Sequence, residues 1–105
     1  DLLVDDPEDL NATRVLFQSQ RRLGEIDFEA GRIDDTNRRL KAALETSLEL
    51  TSRSISIPPE VTAMLLRRLA EIAELRADFD SAVEYYNEAL QRLTSIEDST
   101  ATLEE

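Results

Sequence analysis

Laid over itself with a shift of 46 positions, the chain repeats: Arg21-Arg22-Leu23-Gly24-Glu25-Ile26 falls on Arg67-Arg68-Leu69-Ala70-Glu71-Ile72. The register continues without a gap, so that Ile33-Asp34-Asp35 meets Phe79-Asp80-Ser81, Leu40 meets Tyr86, and Ala43-Leu44 meets Ala89-Leu90. A fixed internal period means one supersecondary unit used twice. Small residues recur at Gly24, Ala43, Ala70, Ala82 and Ala89, where helices of such a unit must approach closely.

The punctuation within each unit is helical. Pro7 suits a first helical position, and Glu8 and Asp9 beside it favour the positive helix end. Apolar residues then recur at Ala12, Leu16, Leu23, Ile26 and Ala30, which reads as the inward face of a helix over 7–30 that Gly31 ends. Asp34 or Asp35 can cap a second helix over 34–51, carrying Leu40, Ala43, Leu44 and Leu48. Residues 55–58 are a linker. Pro59 opens a third helix over 59–77 with Val61, Leu65, Leu69, Ile72 and Ala73. Asp78 or Asp80 caps a fourth over 80–97 with Ala82, Tyr86, Ala89 and Leu93 inward and Tyr85 outward. No stretch alternates with period two, so no sheet is expected. The expectation is an all-α domain of two antiparallel helix hairpins, 7–51 and 59–97, between an acidic flank at 1–6 and an acidic tail at 98–105.

Composition narrows the function. The chain has no Cys, His or Trp and only two Gly, Gly24 and Gly31. That removes Cys- or His-based nucleophiles, zinc sites on those ligands, and Gly-rich phosphate loops. Asp78-Phe79-Asp80 looks like the start of a calcium loop, but Ala82 stands at a ligand position and no Gly follows, so capping explains it better. No enzyme, metal or cofactor is expected. The charge of −11 is uneven: residues 1–10 hold five acids and 97–105 four, with no base in either stretch. Such ends repel nucleic acid and steer a basic protein. The longest apolar run is far short of the ~20 residues of a membrane span. An acidic start without Met reads as an intracellular piece of a longer chain.

The second unit, LAEIAELRADFDSAVEYYNEAL, resembles the tetratricopeptide repeat: Ala70 takes the small position of the first helix, Phe79 the aromatic turn position, and Ala82, Tyr86 and Ala89 the packing positions of the second. The first unit, LGEIDFEAGRIDDTNRRLKAAL, keeps Leu23, Gly24, Gly31 and Ala43 but has Thr36 where the family favours Ala and Leu40 where it favours an aromatic. Its 46-residue period exceeds the family's usual 34. The resemblance implies a right-handed superhelical stack, and the pairing of an LGE unit with a DFDSAVEYY unit is similar to acidic histone chaperones of the nuclear autoantigenic sperm protein type. That type escorts histones H3 and H4, which implies a basic partner and a nuclear or cytoplasmic setting. Unlike that type, the chain has no acidic insertion inside a repeat.

If the hairpins stack as in that family, the first helix of each pair lines a partner-binding groove. Its exposed positions would be Gln18, Arg21, Glu25 and Phe28, then Met64, Arg67, Glu71 and Glu74. Arg21 with Glu25 and Arg67 with Glu71 are each four apart, which also describes ordinary surface ion pairs. The family's Lys and Asn carboxylate clamp is absent from these places. An interaction scaffold is the leading expectation; the alternative is a structural or oligomerisation segment. The last helix supports self-association, because Val83, Leu90 and Leu93 widen its apolar stripe beyond what one neighbour covers.

Overall fold

The computed structural model describes residues 7–104, with the side chains of residues 8–94. The acidic flank at 1–6 lies outside the described residues, as do the side chains of the acidic stretch at 98–105. The elements are α1 (Pro7–Glu29), α2 (Ile33–Ser52), α3 (Pro59–Leu75) and α4 (Phe79–Glu104). All are helices, and no strand occurs among the described residues. None of these helices is long and apolar enough to cross a membrane. Contacts divide the chain into two compact units, Asp1–Ile57 and Pro58–Glu105.

In the first unit, α1 and α2 form an antiparallel hairpin. The cross-helix bonds establish its direction: Arg39 reaches Asp27, Thr46 reaches Gln20, and Arg53 reaches Asp9, so one index falls as the other rises. Gly31 makes the reversal, at φ +79°. Its N–H donates to the Phe28 carbonyl and the Arg32 N–H to the Asp27 carbonyl, the paired bonds of a Schellman cap. The register shift of 46 puts Ala77 at the equivalent place, where it holds φ +60° and makes the same two bonds, Ala77 to Glu74 and Asp78 to Ala73. A Cβ is disfavoured in this region, so the second unit closes its helix at a steric cost the first avoids.

Capping differs from the sequence expectation at α2. That helix starts at Ile33 behind Arg32, with no side-chain cap, and Asp34 and Asp35 lie in its first turn, near the positive helix end. At α4 the expectation holds, for the Asp78 carboxylate accepts the Ser81 N–H at 3.3 Å. α4 also runs to Glu104, into the stretch assigned to a tail.

The largest correction concerns the face of α1. Ala12, Leu16, Leu23, Ile26 and Ala30 are exposed, while Thr13, Phe17, Gly24 and Asp27 are buried. Gly24 explains part of this: a Cβ built on it would stand 2.6 Å from Leu40 Cδ2, so its missing side chain is what admits Leu40. Hydrogen bonding explains the rest. The Thr46 hydroxyl shares its proton between Gln20 Oε1 at 2.8 Å and the Ala42 carbonyl at 3.0 Å, and Thr36 donates to the Arg32 carbonyl at 2.7 Å. No buried side-chain nitrogen or oxygen among the described residues lacks a partner, so this polar seam carries no desolvation penalty left unmatched.

Asp27 is the centre of that seam. Its Oδ1 accepts Arg32 Nε at 2.8 Å and its Oδ2 accepts Arg39 Nε at 2.7 Å, which ties the end of α1 to α2. The hydrogen bond from Arg32, with that from Arg39 and both guanidinium charges, outweighs burial and holds the carboxyl below its ordinary value of 3.8. A depressed folded pKa stabilises the fold above the unfolded value, and that contribution disappears as pH falls through the folded value. We therefore expect urea midpoints of the chain to fall as pH drops below about 4, the ordinary aspartate value, and Asp27→Asn to flatten that fall while lowering the midpoint at neutral pH. An unchanged acid limb in the variant would remove Asp27 from this role.

In the second unit, α3 buries two adjacent rows. Ala63, Leu66, Ala70 and Ala73 correspond to Phe17, Gln20, Gly24 and Asp27 of α1, and Thr62, Leu65, Leu69 and Ile72 form the second row. α4 buries only Ala82 and Ala89 among its described side chains. In the antiparallel hairpin its 26 residues outrun the 17 of α3 by roughly 13 Å of helix.

Candidate functional site

The sequence-predicted groove positions fall on one face within each unit. Met64, Arg67, Glu71 and Glu74 follow spacings of three, four and three along α3, and Gln18, Arg21, Glu25 and Phe28 follow the same spacings along α1. In the first unit Gln18 is exposed, and Arg21, Glu25 and Phe28 are half-buried. The Arg21 guanidinium lies over the buried Phe17 ring, 5.5 Å from its centroid, so its charge is engaged with an aromatic face.

In the second unit two of the α3 positions, Met64 and Arg67, border a real concavity. An open groove of about 390 Å³ runs between α3 and α4, with Glu60, Ala63, Met64 and Arg67 on one side and Tyr86, Ala89, Leu90 and Leu93 on the other. Met64 and Leu90 are 63% and 62% exposed, which is unusual for two large apolar side chains meeting in one groove. The lining is apolar apart from Glu60, Arg67 and the Tyr86 hydroxyl.

Tyr86 and Arg67 have partners within the unit. Tyr86 Oη donates to Glu74 Oε1 across the hairpin, and this bond pushes the phenol pKa above its ordinary 10.0. Glu71 accepts Arg68 Nη1 at 2.6 Å and lies 3.4 Å from Arg67 Nε. Glu71 and Glu74, expected to face a partner, thus serve hydrogen bonds inside the unit, and the groove keeps an apolar floor with Glu60 and Arg67 at its border.

Tyr86 corrects a second expectation. It lies in the groove and is exposed, while Tyr85 is half-buried, with its pKa raised chiefly by desolvation and then by Glu88. Leu93 and Leu48, read as inward, are exposed as well. The α4 contributors Tyr86, Leu90 and Leu93 were absent from the predicted site, although the widened stripe noted in the sequence pointed to two of them. Among the described residues no group of three or more acidic side chains is placed to hold a metal ion. Comparison with protein-family models, with curated proteins and with solved structures finds no match.

Proposed function

We propose that the chain is a non-catalytic protein-interaction scaffold of tetratricopeptide-like helix pairs, which binds partners in the α3–α4 groove. The observation that carries this reading is the groove itself: exposed Met64, Leu90 and Leu93 around Tyr86, whose hydroxyl is bonded to Glu74, with Arg67 paired to Glu71. A surface of that kind favours an apolar anchor over a charged ligand. Repetition supports the family reading, since both hairpins share one register and close with the same cap at Gly31 and Ala77.

The acidic ends favour one class of partner. Five acids in residues 1–10 and four in 97–105 would steer a basic protein such as the H3–H4 histones of a nuclear or cytoplasmic chaperone, without contributing to the groove's apolar contacts. A photo-crosslinking residue at Leu90, compared with one at Glu84 on another side of α4, tests both readings. Discrete adducts from Leu90 alone support the groove. Identical patterns from both positions, or none, contradict it. Adducts with purified H3–H4 that weaken with added salt, and with deletion of residues 1–6 and 98–105, support the histone version. Salt-insensitive adducts reject it and leave the scaffold standing.

A further inference from the structure

We infer that the α4 row bordering this groove is a self-association surface, on which a second copy of the chain docks antiparallel about Tyr86. The inference rests on the scaffold reading and names the groove's occupant. Phe79, Val83, Tyr86, Leu90 and Leu93 are all exposed and follow spacings of four, three, four and three, the seam pattern of a coiled coil.

The row is self-complementary. A two-fold axis at Tyr86 lays Phe79 against the partner's Leu93 and Val83 against the partner's Leu90, so every large side chain of the row meets another. The Tyr86 hydroxyl keeps its bond to Glu74, which removes the usual cost of covering a phenol.

Charge points the same way. Along α4 the positions beside the row are Ala82, Asn87, Ala89 and Thr94, with Asp80 at one end, while Glu84, Glu88 and Arg92 lie elsewhere on the helix. Across the groove α3 adds one charge of each sign, Glu60 and Arg67, so two copies meet without a line of opposed carboxylates. Area is sufficient but modest. The exposed fractions of these five side chains and Met64 amount to roughly 600 Å² per copy, so the row supplies a dimer with at most roughly 1,200 Å², the lower edge of stable specific interfaces. Association in the micromolar range is expected, with both copies carrying −11 and repelling until salt screens them.

Sedimentation of the full chain across protein concentration, at low and high salt, tests this. The mass should rise with concentration toward twice 11.9 kDa, and more readily in high salt. Leu90→Glu should weaken association by about 30-fold or more, with the helical circular dichroism intact, and Glu84→Lys should not. Because the chain has no Cys, a second measurement does not depend on that variant folding: Tyr86→Cys should oxidise to a covalent dimer and Glu88→Cys should not. A mass fixed at 11.9 kDa at both salts overturns the inference, as does equal crosslinking at the two Cys positions. If that failure accompanies Leu90-specific adducts with another protein, the scaffold reading survives. If Leu90 gives no adduct at all, both fall.

Discussion

Leu40→Ala should destabilise the first hairpin by about 2–5 kcal/mol, the range for deleting a fully buried leucine side chain that its neighbours cannot replace. Leu40 is 0% exposed and lies against the bare Cα of Gly24. Gly24→Ala alone should also destabilise, because its Cβ would sit 2.6 Å from Leu40 Cδ2. The overpacking cost of about 1–3 kcal/mol exceeds the roughly 1 kcal/mol gained from alanine's helix propensity. Combined, the two changes should cost less than the sum of the single ones, since the new methyl occupies part of the space that Leu40 vacates. Urea denaturation followed by circular dichroism measures the cycle, and additivity would show that the two positions are not packed on each other.

A sharper contrast is available at Leu23 and Leu69, which the repeat register makes equivalent. Leu69 is 0% exposed and Leu23 42%. Leu69→Ala should therefore cost about 2–5 kcal/mol, and Leu23→Ala less than about 1 kcal/mol. Equal losses would mean that α1 turns its Leu23 row inward, as its apolar pattern alone suggests. That outcome would overturn the assignment of the polar seam to the interior of the first hairpin.

The contrast explains what was legible in the sequence. Pro7, Gly31 and Pro59 act at single positions through backbone geometry and Asp78 through a local side-chain cap, so four helices and their turns could be read closely. The inward face of α1 could not, because periodicity ranks faces by apolar content, and Leu16, Leu23 and Ile26 outweigh Thr13, Gln20 and Asp27 on that measure. What decides the face is a relation across the hairpin: Gly24 makes room for Leu40, and Asp27 is matched by Arg32 and Arg39. The repeat held a usable signal. Shifted by 46, Phe17, Gln20, Gly24 and Asp27 fall on Ala63, Leu66, Ala70 and Ala73, an unbroken apolar row that α3 buries.

The candidate site divides in the same way. On its α3 side, Met64 and Arg67 were legible by spacing, whereas Glu60 and Ala63 were not among the expected positions and Glu71 and Glu74 do not line the groove. That Glu74 is engaged by Tyr86, and that Tyr86 stands in a groove with Leu90, depends on how α4 lies against α3. Tyr86 read as a packing residue from its place on the apolar stripe and in the repeat, yet it is exposed, while its first-unit equivalent, Leu40, is fully buried. The repeat thus preserves backbone register while using equivalent surfaces differently.

The central claim, that the α3–α4 face is a binding face, is most directly tested by cysteine accessibility. The chain has no native Cys, so Leu90→Cys and Glu84→Cys each report one position. Alkylation at position 90 should slow as protein concentration rises or a bound partner is added, while position 84 reacts at an unchanged rate. Position 90 reacting as fast as position 84 under every condition, crude extract included, would contradict the claim.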